Sequence, residues 1–317
     1  MIITTAGAIG IFFLLGMYAD FQEVRTSFRH FQWDFLPLIL GLAFVNYVLR
    51  FFKWNFYLRV LGVPLNAKES LAIFFAGLAM SLTPAKFGEV LKSFLVKQRC
   101  GVPMSRTAPI IFAERFTDFV ALVVLALIGL VSFHYGWYVP LASLVCIVLF
   151  FGLISCRRFW EGLLSRGGRF PKIAKWAERV RIAYESTRHL LSIKRLGLAV
   201  GLSIPAWLAE GFAYFFVFRA LDVPFLLLGA IFIYSFSTLV GAVTMLPGGL
   251  GGTEGSLVAL AMMRGVTKPV AVSSTLLVRG CTLWFAILLG ISVLLWHRRK
   301  WETAAVFDTM TEKETAR

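Results

Sequence analysis

"TMLPGGLGGTEGSLVAL", residues 244–260, interrupts what would otherwise be a long apolar helix. It places Pro247, Gly248, Gly249, Gly251 and Gly252 in succession, then Thr253 and a lone carboxylate, Glu254. Proline and glycine break helices, and hydrocarbon offers no partner to the backbone groups a break sets free. Such a stretch is tolerated at membrane depth only where it is buried in protein or lines a cavity. Its reading therefore depends on whether the chain around it crosses a membrane.

Composition says that it does. The 317 residues are 58% hydrophobic, include 31 Phe and have a mean hydropathy of +0.77. A soluble helical protein of this content would have almost no polar surface. Stretches near 2–19, 35–60, 107–133, 137–156, 196–220 and 269–296 approach the roughly 20 residues that a ~30 Å hydrocarbon core requires. Two more, 70–98 and 225–264, are interrupted by Pro and Gly. The start, "MIITTAGAIG", carries no Lys or Arg, which favours a retained helix over a cleaved signal. Cys100, Cys146, Cys156 and Cys281 lack C-x-x-C spacing and the four histidines are dispersed, so no disulfide framework, metal site or cofactor is expected.

The net charge of +15 is concentrated in part at 157–195 and points to a cytoplasmic segment, not to nucleic acid. Within it Ile173, Trp176, Ala177, Val180 and Tyr184 recur at helical spacing, the pattern of an amphipathic helix on an anionic leaflet.

The chain also resembles itself. "YLRVLGVP" (57–64) matches "VFRALDVP" (217–224), and "SLTPAKFGEVLKSFL" (81–95) matches 244–260, Pro84 over Pro247 and Glu89 over Glu254. Gly101-Val102 then matches Gly265-Val266, and fourteen residues past each glycine stands an arginine, Arg115 and Arg279. If 70–98 and 225–264 are hairpins returning to the side they entered, Lys and Arg collect on one face, as the positive-inside rule demands. Three crossings then separate the equivalent helices 35–60 and 196–220, so the repeats are inverted and the hairpin tips meet near the midplane. The expected fold is an all-α integral membrane protein with inverted-topology repeats (about 35–133 and 196–296) and two re-entrant helical hairpins. It forms one polytopic domain over 1–317, with a cytoplasmic linker at 157–195, a polar tail at 301–317 and both termini in the cytoplasm. That is the architecture of secondary transporters.

An ionisable side chain at the bilayer centre costs roughly 2.5–3.5 kcal/mol on insertion scales. Helix 107–133 carries Glu114, Arg115 and Asp118, which share a side at spacings of three and four. They must face the interior, each other, or the first tip with Lys86, Gly88, Glu89 and Lys92. The second half repeats the scheme more sparsely with Glu254 and Arg279, while Glu210 lies in "AWLAEGFAYFF". The bland alternative is two buried ion pairs, Glu89–Arg115 and Glu254–Arg279, bolting each hairpin to its helix. The functional alternative is an anion site of cations assisted by backbone N–H groups. Lys86 and Lys92 stand where the outer tip has Gly249 and an apolar position, so the inner tip is expected to capture an anionic headgroup by charge.

These segments resemble the signatures of the lysylphosphatidylglycerol synthetase transmembrane-region family, also described as flippase-like after the membrane half of the bacterial multiple peptide resistance factor. The family's P-x-x-x-G-E falls on Pro84, Gly88 and Glu89. Its E-R-x-x-D falls on Glu114, Arg115 and Asp118, and its P-G-G-x-G-x-x-E on Pro247, Gly248, Gly249, Gly251 and Glu254. The resemblance covers about 35–296 and implies movement of a lipid between leaflets. It implies phospholipid or polyprenyl-phosphate-linked partners in the cell membrane. No aminoacyl-transferase domain follows the tail, so a separate lipid-modifying enzyme is the expected partner. An enzyme acting on a lipid phosphate is the first competitor, but the tips lack a Ser-Arg-Ser-like loop. Thr253 and Ser256 have no base nearby except Glu254. An ion-coupled carrier of a small anion is the second, and would not need a site open to lipid.

Overall fold

The computed structural model describes residues 10–11, 13–83, 88–130, 145 and 171–297, the backbone alone for 171–180. The expected crossing at 137–156 apart from residue 145, half of the one at 2–19, residues 157–170 of the linker and the tail 301–317 lie outside these residues, as do Pro84 and Lys86. Every regular element among the described residues is helical. In chain order they are α1 (Phe21–His30), α2 (Leu36–Val60), α3 (Ala67–Leu78), α4 (Val90–Cys100), α5 (Met104–Leu130), α6 (Pro171–Leu190), α7 (Ile193–Ala220), α8 (Leu227–Val243), α9 (Gly252–Met263) and α10 (Lys268–His297).

Length and apolarity sort these helices. Trp33–Val60, Ile193–Ala220 and Lys268–His297 are each long and apolar enough to span hydrocarbon. At 27 residues, about 40 Å, α5 is long enough too, but three ionisable residues sit in its middle. The helices α3, α4 and α9 have 12, 11 and 12 residues, which at 1.5 Å per residue reach only about 18 Å. Each pairs across a break with a neighbour that it packs on, α3 with α4 and α8 with α9. Two helix–break–helix units therefore stand where 70–98 and 225–264 were expected to form hairpins.

The matched sequences fold alike at their turns. Past α2 the Gly62 N–H meets the Arg59 carbonyl and the Val63 N–H the Leu58 carbonyl, both at 3.0 Å. Past α7, Asp222 and Val223 make the same bonds to Arg219 and Phe218, again at 3.0 Å. This is the Schellman closure, which requires a left-handed residue. Gly62 (φ 64°) fills that place in one half, and Asp222 (φ 56°), one of the few non-glycine types that tolerate it, in the other. Gly101 and Gly265, the other matched pair, end α4 and α9 in the same conformation.

The helices of the first match, α2 and α7, make the most extensive helix–helix contact among the described residues. Gln32 N–H, just before α2, donates to the Ala220 carbonyl, Asn46 Nδ2 to the Ala206 carbonyl, and Lys53 Nζ to Ser203 Oγ. The partner number falls as the residue number rises, so the two helices run antiparallel. Around them the apolar side chains form two large clusters. One is built mainly from α7 to α10 and the latter part of α5, the other from α2, α3, α4 and the first part of α5. A small third cluster joins Leu82 of the first break to Leu250 of the second, with Leu283 and Ile287 of α10. The two breaks meet.

Candidate functional site

The break between α8 and α9 is made by left-handed backbone at Met245, Gly248, Gly249 and Gly251. Residues Pro247–Gly249 form a single 3₁₀ turn. Side chains take up two of the break's backbone groups. Glu254, in the first turn of α9, accepts from the Gly251 N–H at 2.7 Å through one oxygen and from Arg279 Nε at 2.6 Å through the other. Arg279 in turn donates Nη2 to the Gly248 carbonyl at 2.7 Å. One carboxylate and one guanidinium thus tie the break to α10, with Glu254 fully buried and Arg279 nearly so. Gly241 of α8 lies so close to Thr253 that a Cβ there would collide with the Thr253 hydroxyl, and Gly252 sits against Thr244. These glycines serve close packing. Directly after Arg279, α10 widens into a π-turn at Gly280–Trp284, and its Thr282 carbonyl accepts the Tyr47 hydroxyl of α2.

The first half holds a denser assembly. Arg50 and Lys53 project from α2, Glu89 and Lys92 from the start of α4, and Glu114, Arg115 and Asp118 from α5. Lys53 Nζ bonds Asp118 Oδ1, Ser203 Oγ (2.7 Å), Thr117 Oγ1 (3.3 Å) and the Glu114 carbonyl (3.4 Å). Lys92 Nζ lies 2.6 Å from Glu114 Oε2 and 3.4 Å from Glu89 Oε2. Arg115 Nη2 lies 3.5 Å from Glu89 Oε2 and 3.3 Å from Asp118 Oδ2, and Arg50 Nη2 3.8 Å from Glu89 Oε1. All are buried except Arg115, whose side chain stays 24% exposed. A buried charge is held only by partners, and here each carboxylate is shared by at least one cation from another helix.

The structure thus brings Glu89, Lys92, Glu114, Arg115 and Asp118 together, and forms both Glu89–Arg115 and Glu254–Arg279. Gly88 follows the first break, its N–H bonded to Thr83 Oγ1 at 2.7 Å. Glu210 of α7 receives the Tyr234 hydroxyl of α8 on its Oε2. Lys92 does not present its charge at a tip. It is 2% exposed, its ammonium 4.5 Å from the Trp54 ring centre and 5.3 Å from that of Phe74. Its stem fills the room left by Gly77 of α3, where a Cβ would clash with Lys92 Cγ. Lys92 lies on the inward side of an 11-residue helix, between Glu89 at that helix's own start and Glu114 of α5, so pairing and ring contacts draw it inside.

Sequence reading passed over Arg50 and Lys53, which sit in the apolar crossing 35–60. Two cations in such a helix are themselves a signal of a buried partner. Of their partners, Glu89 and Asp118 were marked by motif and spacing, whereas Ser203 of α7 carries no such signal.

Residues 2–290 match the family described as Lysylphosphatidylglycerol synthase TM region. The chain is 24% identical to a UPF0104 membrane protein of Methanothermobacter thermautotrophicus, over 86% of this chain and 88% of that one. It is 25% identical to a UPF0104 membrane protein of Pyrococcus horikoshii, over 84% and 88%. A UPF0104 membrane protein of Methanocaldococcus jannaschii is 24% identical, over 66% of this chain and 90% of that one.

Proposed function

The chain belongs to the lysylphosphatidylglycerol synthase TM region family, and from that premise we propose that it is a lipid flippase. It passes the anionic or modified headgroup of a membrane lipid between leaflets along the charged groups of α2, α4 and α5. The observation that carries this proposal is the assembly of four cations and three carboxylates beside two touching helix breaks, with Arg115 still accessible. Framework ion pairs alone do not call for seven ionisable groups in so costly a place.

Alternating access needs two arrangements of nearly equal energy, and inverted repeats supply them. The 160-residue offset from Tyr57 to Val217 carries Asn46 onto Ala206, the residue whose carbonyl it meets. A residue that touches its own counterpart between antiparallel helices lies on a two-fold axis. That supports inversion of the halves, with α3–α4 and α8–α9 as re-entrant hairpins entering from opposite faces of the cell membrane. Both termini then lie in the cytoplasm.

Enzymatic use of Thr253 is disfavoured by the tight seat of its hydroxyl against Gly241. The test is a proteoliposome assay that follows a fluorescent phosphatidylglycerol from one leaflet to the other. Scrambling or directed movement is expected from the wild type and none from Arg115→Ala. Equal rates in the two proteins and in protein-free vesicles would sink the proposal. Uptake of a small soluble anion without lipid movement would favour the carrier instead.

A further inference from the structure

Arg50 and Arg115 approach one carboxylate, that of Glu89, from two different helices. Their Nη2 atoms lie 3.8 Å from Oε1 and 3.5 Å from Oε2. The Nε of Arg50, and the Nε and Nη2 of Arg115, are buried atoms without a hydrogen-bond acceptor among the described residues. Arg50 as a whole is only 6% exposed.

The second half shows the corresponding Glu–Arg pair in close hydrogen bonds. Arg279, the counterpart of Arg115, gives Nε to Glu254 at 2.6 Å and Nη2 to the Gly248 carbonyl at 2.7 Å. Residue types and order agree between the halves, yet Nε and Nη2 of Arg279 both have hydrogen-bond acceptors and those of Arg115 do not. Buried donors without acceptors are costly to keep. The planar fork of a guanidinium matches the oxygens of a phosphate, which accepts from two forks at once.

We propose that Arg50 and Arg115 form a clamp for the phosphate of the lipid headgroup, and that Glu89 holds its place until a lipid arrives. This rests on the lipid-transport proposal and names the group recognised, a phosphodiester, whatever is attached beyond it. Arg115 is the arm that meets the entering headgroup and Arg50 is the deeper one. When phosphate replaces the carboxylate, Glu89 keeps Lys92 at 3.4 Å while the two arginines let go, and the start of α4 is released from two of its cationic neighbours. Capture of the headgroup and loosening of the first break then become one event.

The test titrates purified full-length protein in detergent with dioctanoyl phosphatidylglycerol, dioctanoylglycerol and inorganic phosphate, binding being read from the melting temperature. The phospholipid is expected to bind and the diacylglycerol not. Arg50→Gln should weaken phospholipid binding by about tenfold or more, the weight of a lost charge-assisted contact. Arg50→Lys should recover only part, since an ammonium lacks the fork. Glu89→Gln should tighten binding, because it weakens the competitor, and it serves as the test if the arginine variants fail to fold. Equal binding of dioctanoylglycerol, or unchanged affinity in both Arg50→Gln and Glu89→Gln, overturns the clamp. Arg50-dependent binding of inorganic phosphate without phospholipid binding overturns the lipid as its source. A clamp that holds phospholipid in a protein that flips none would stand while the transport proposal falls. Flipping without selectivity for phosphate would do the reverse.

Discussion

Replacing Lys53 by Met tests whether the charge assembly is also the joint of the fold. Lys53 is 1% exposed and its ammonium connects α2 to Asp118 and Thr117 of α5 and to Ser203 of α7. Methionine keeps most of the stem and removes the charge. Asp118 would then retain Ser203 Oγ at 3.1 Å and Arg115 at 3.3 Å. Breaking a buried pair by removing one partner costs about 3–5 kcal/mol, and the remaining contacts place this one near the lower end. For a chain of 317 residues that corresponds to a fall in melting temperature of roughly 4–8 °C. Asp118→Asn should cost a comparable amount, since it strands the lysine. Lys53→Met with Asp118→Asn leaves no isolated charge in the pair and should regain at least half of the loss. The assay is thermal melting in detergent, followed by the monodisperse fraction on size-exclusion chromatography, for the two single variants and the double. If Lys53→Met melts with the wild type, or the double variant is as unstable as the sum of the singles, the joint is not there.

Other outcomes follow from the same geometry. Single cysteines at Asp222 and Lys268 should react with an impermeant thiol reagent from outside the cell, while those at Arg166 and Arg298 should not; labelling of Asp222 and Arg298 from one side refutes the inverted hairpins. Glu254→Gln strips Arg279 of its carboxylate and should destabilise by about 3–5 kcal/mol. A Glu254→Leu, Arg279→Met double variant should recover stability in the same melting assay yet fail to flip lipid, and return of flipping would make the pair a bolt only. Gly241→Ala forces a methyl onto the Thr253 hydroxyl and should cost about 1–3 kcal/mol by overpacking, with Thr253→Ala restoring most of it. Identical melting curves for wild type and Gly241→Ala would show that α8 and α9 do not pack this closely.

What the sequence made legible was periodic or punctuated. Long apolar runs marked α2, α7 and α10, and Pro-Gly punctuation marked the break before α9. The ordered match of 57–64 with 217–224 foretold two equivalent turns, which both close as Schellman motifs although one uses Gly62 and the other Asp222. The pair Glu254–Arg279 was legible because the repeat mirrored it. What was not legible depended on which face of one helix meets which face of another. Arg50 and Lys53 find Glu89 and Asp118 only after four helices have packed. The inward turn of Lys92 depends on Gly77, a residue with no motif around it. Hydrophobicity finds the membrane, but it does not say where charges inside it meet.

The π-turn at Gly280–Trp284 means that α10 contains one residue more than a regular helix of the same path. Between Lys268 and Arg279, deleting a residue would rotate everything downstream by about 100°, the angle of one α-helical step, and turn Leu283 and Ile287 away from the meeting point of the two breaks. Within 280–284 the same deletion would draw the wide turn back to α-helical spacing and leave both flanks on their original faces. Arg279 would still face Glu254, and the lost contact would be the carbonyl presented to Tyr47. This stretch is where the chain can change length by one without changing its register, so a shortened α10 is best built there.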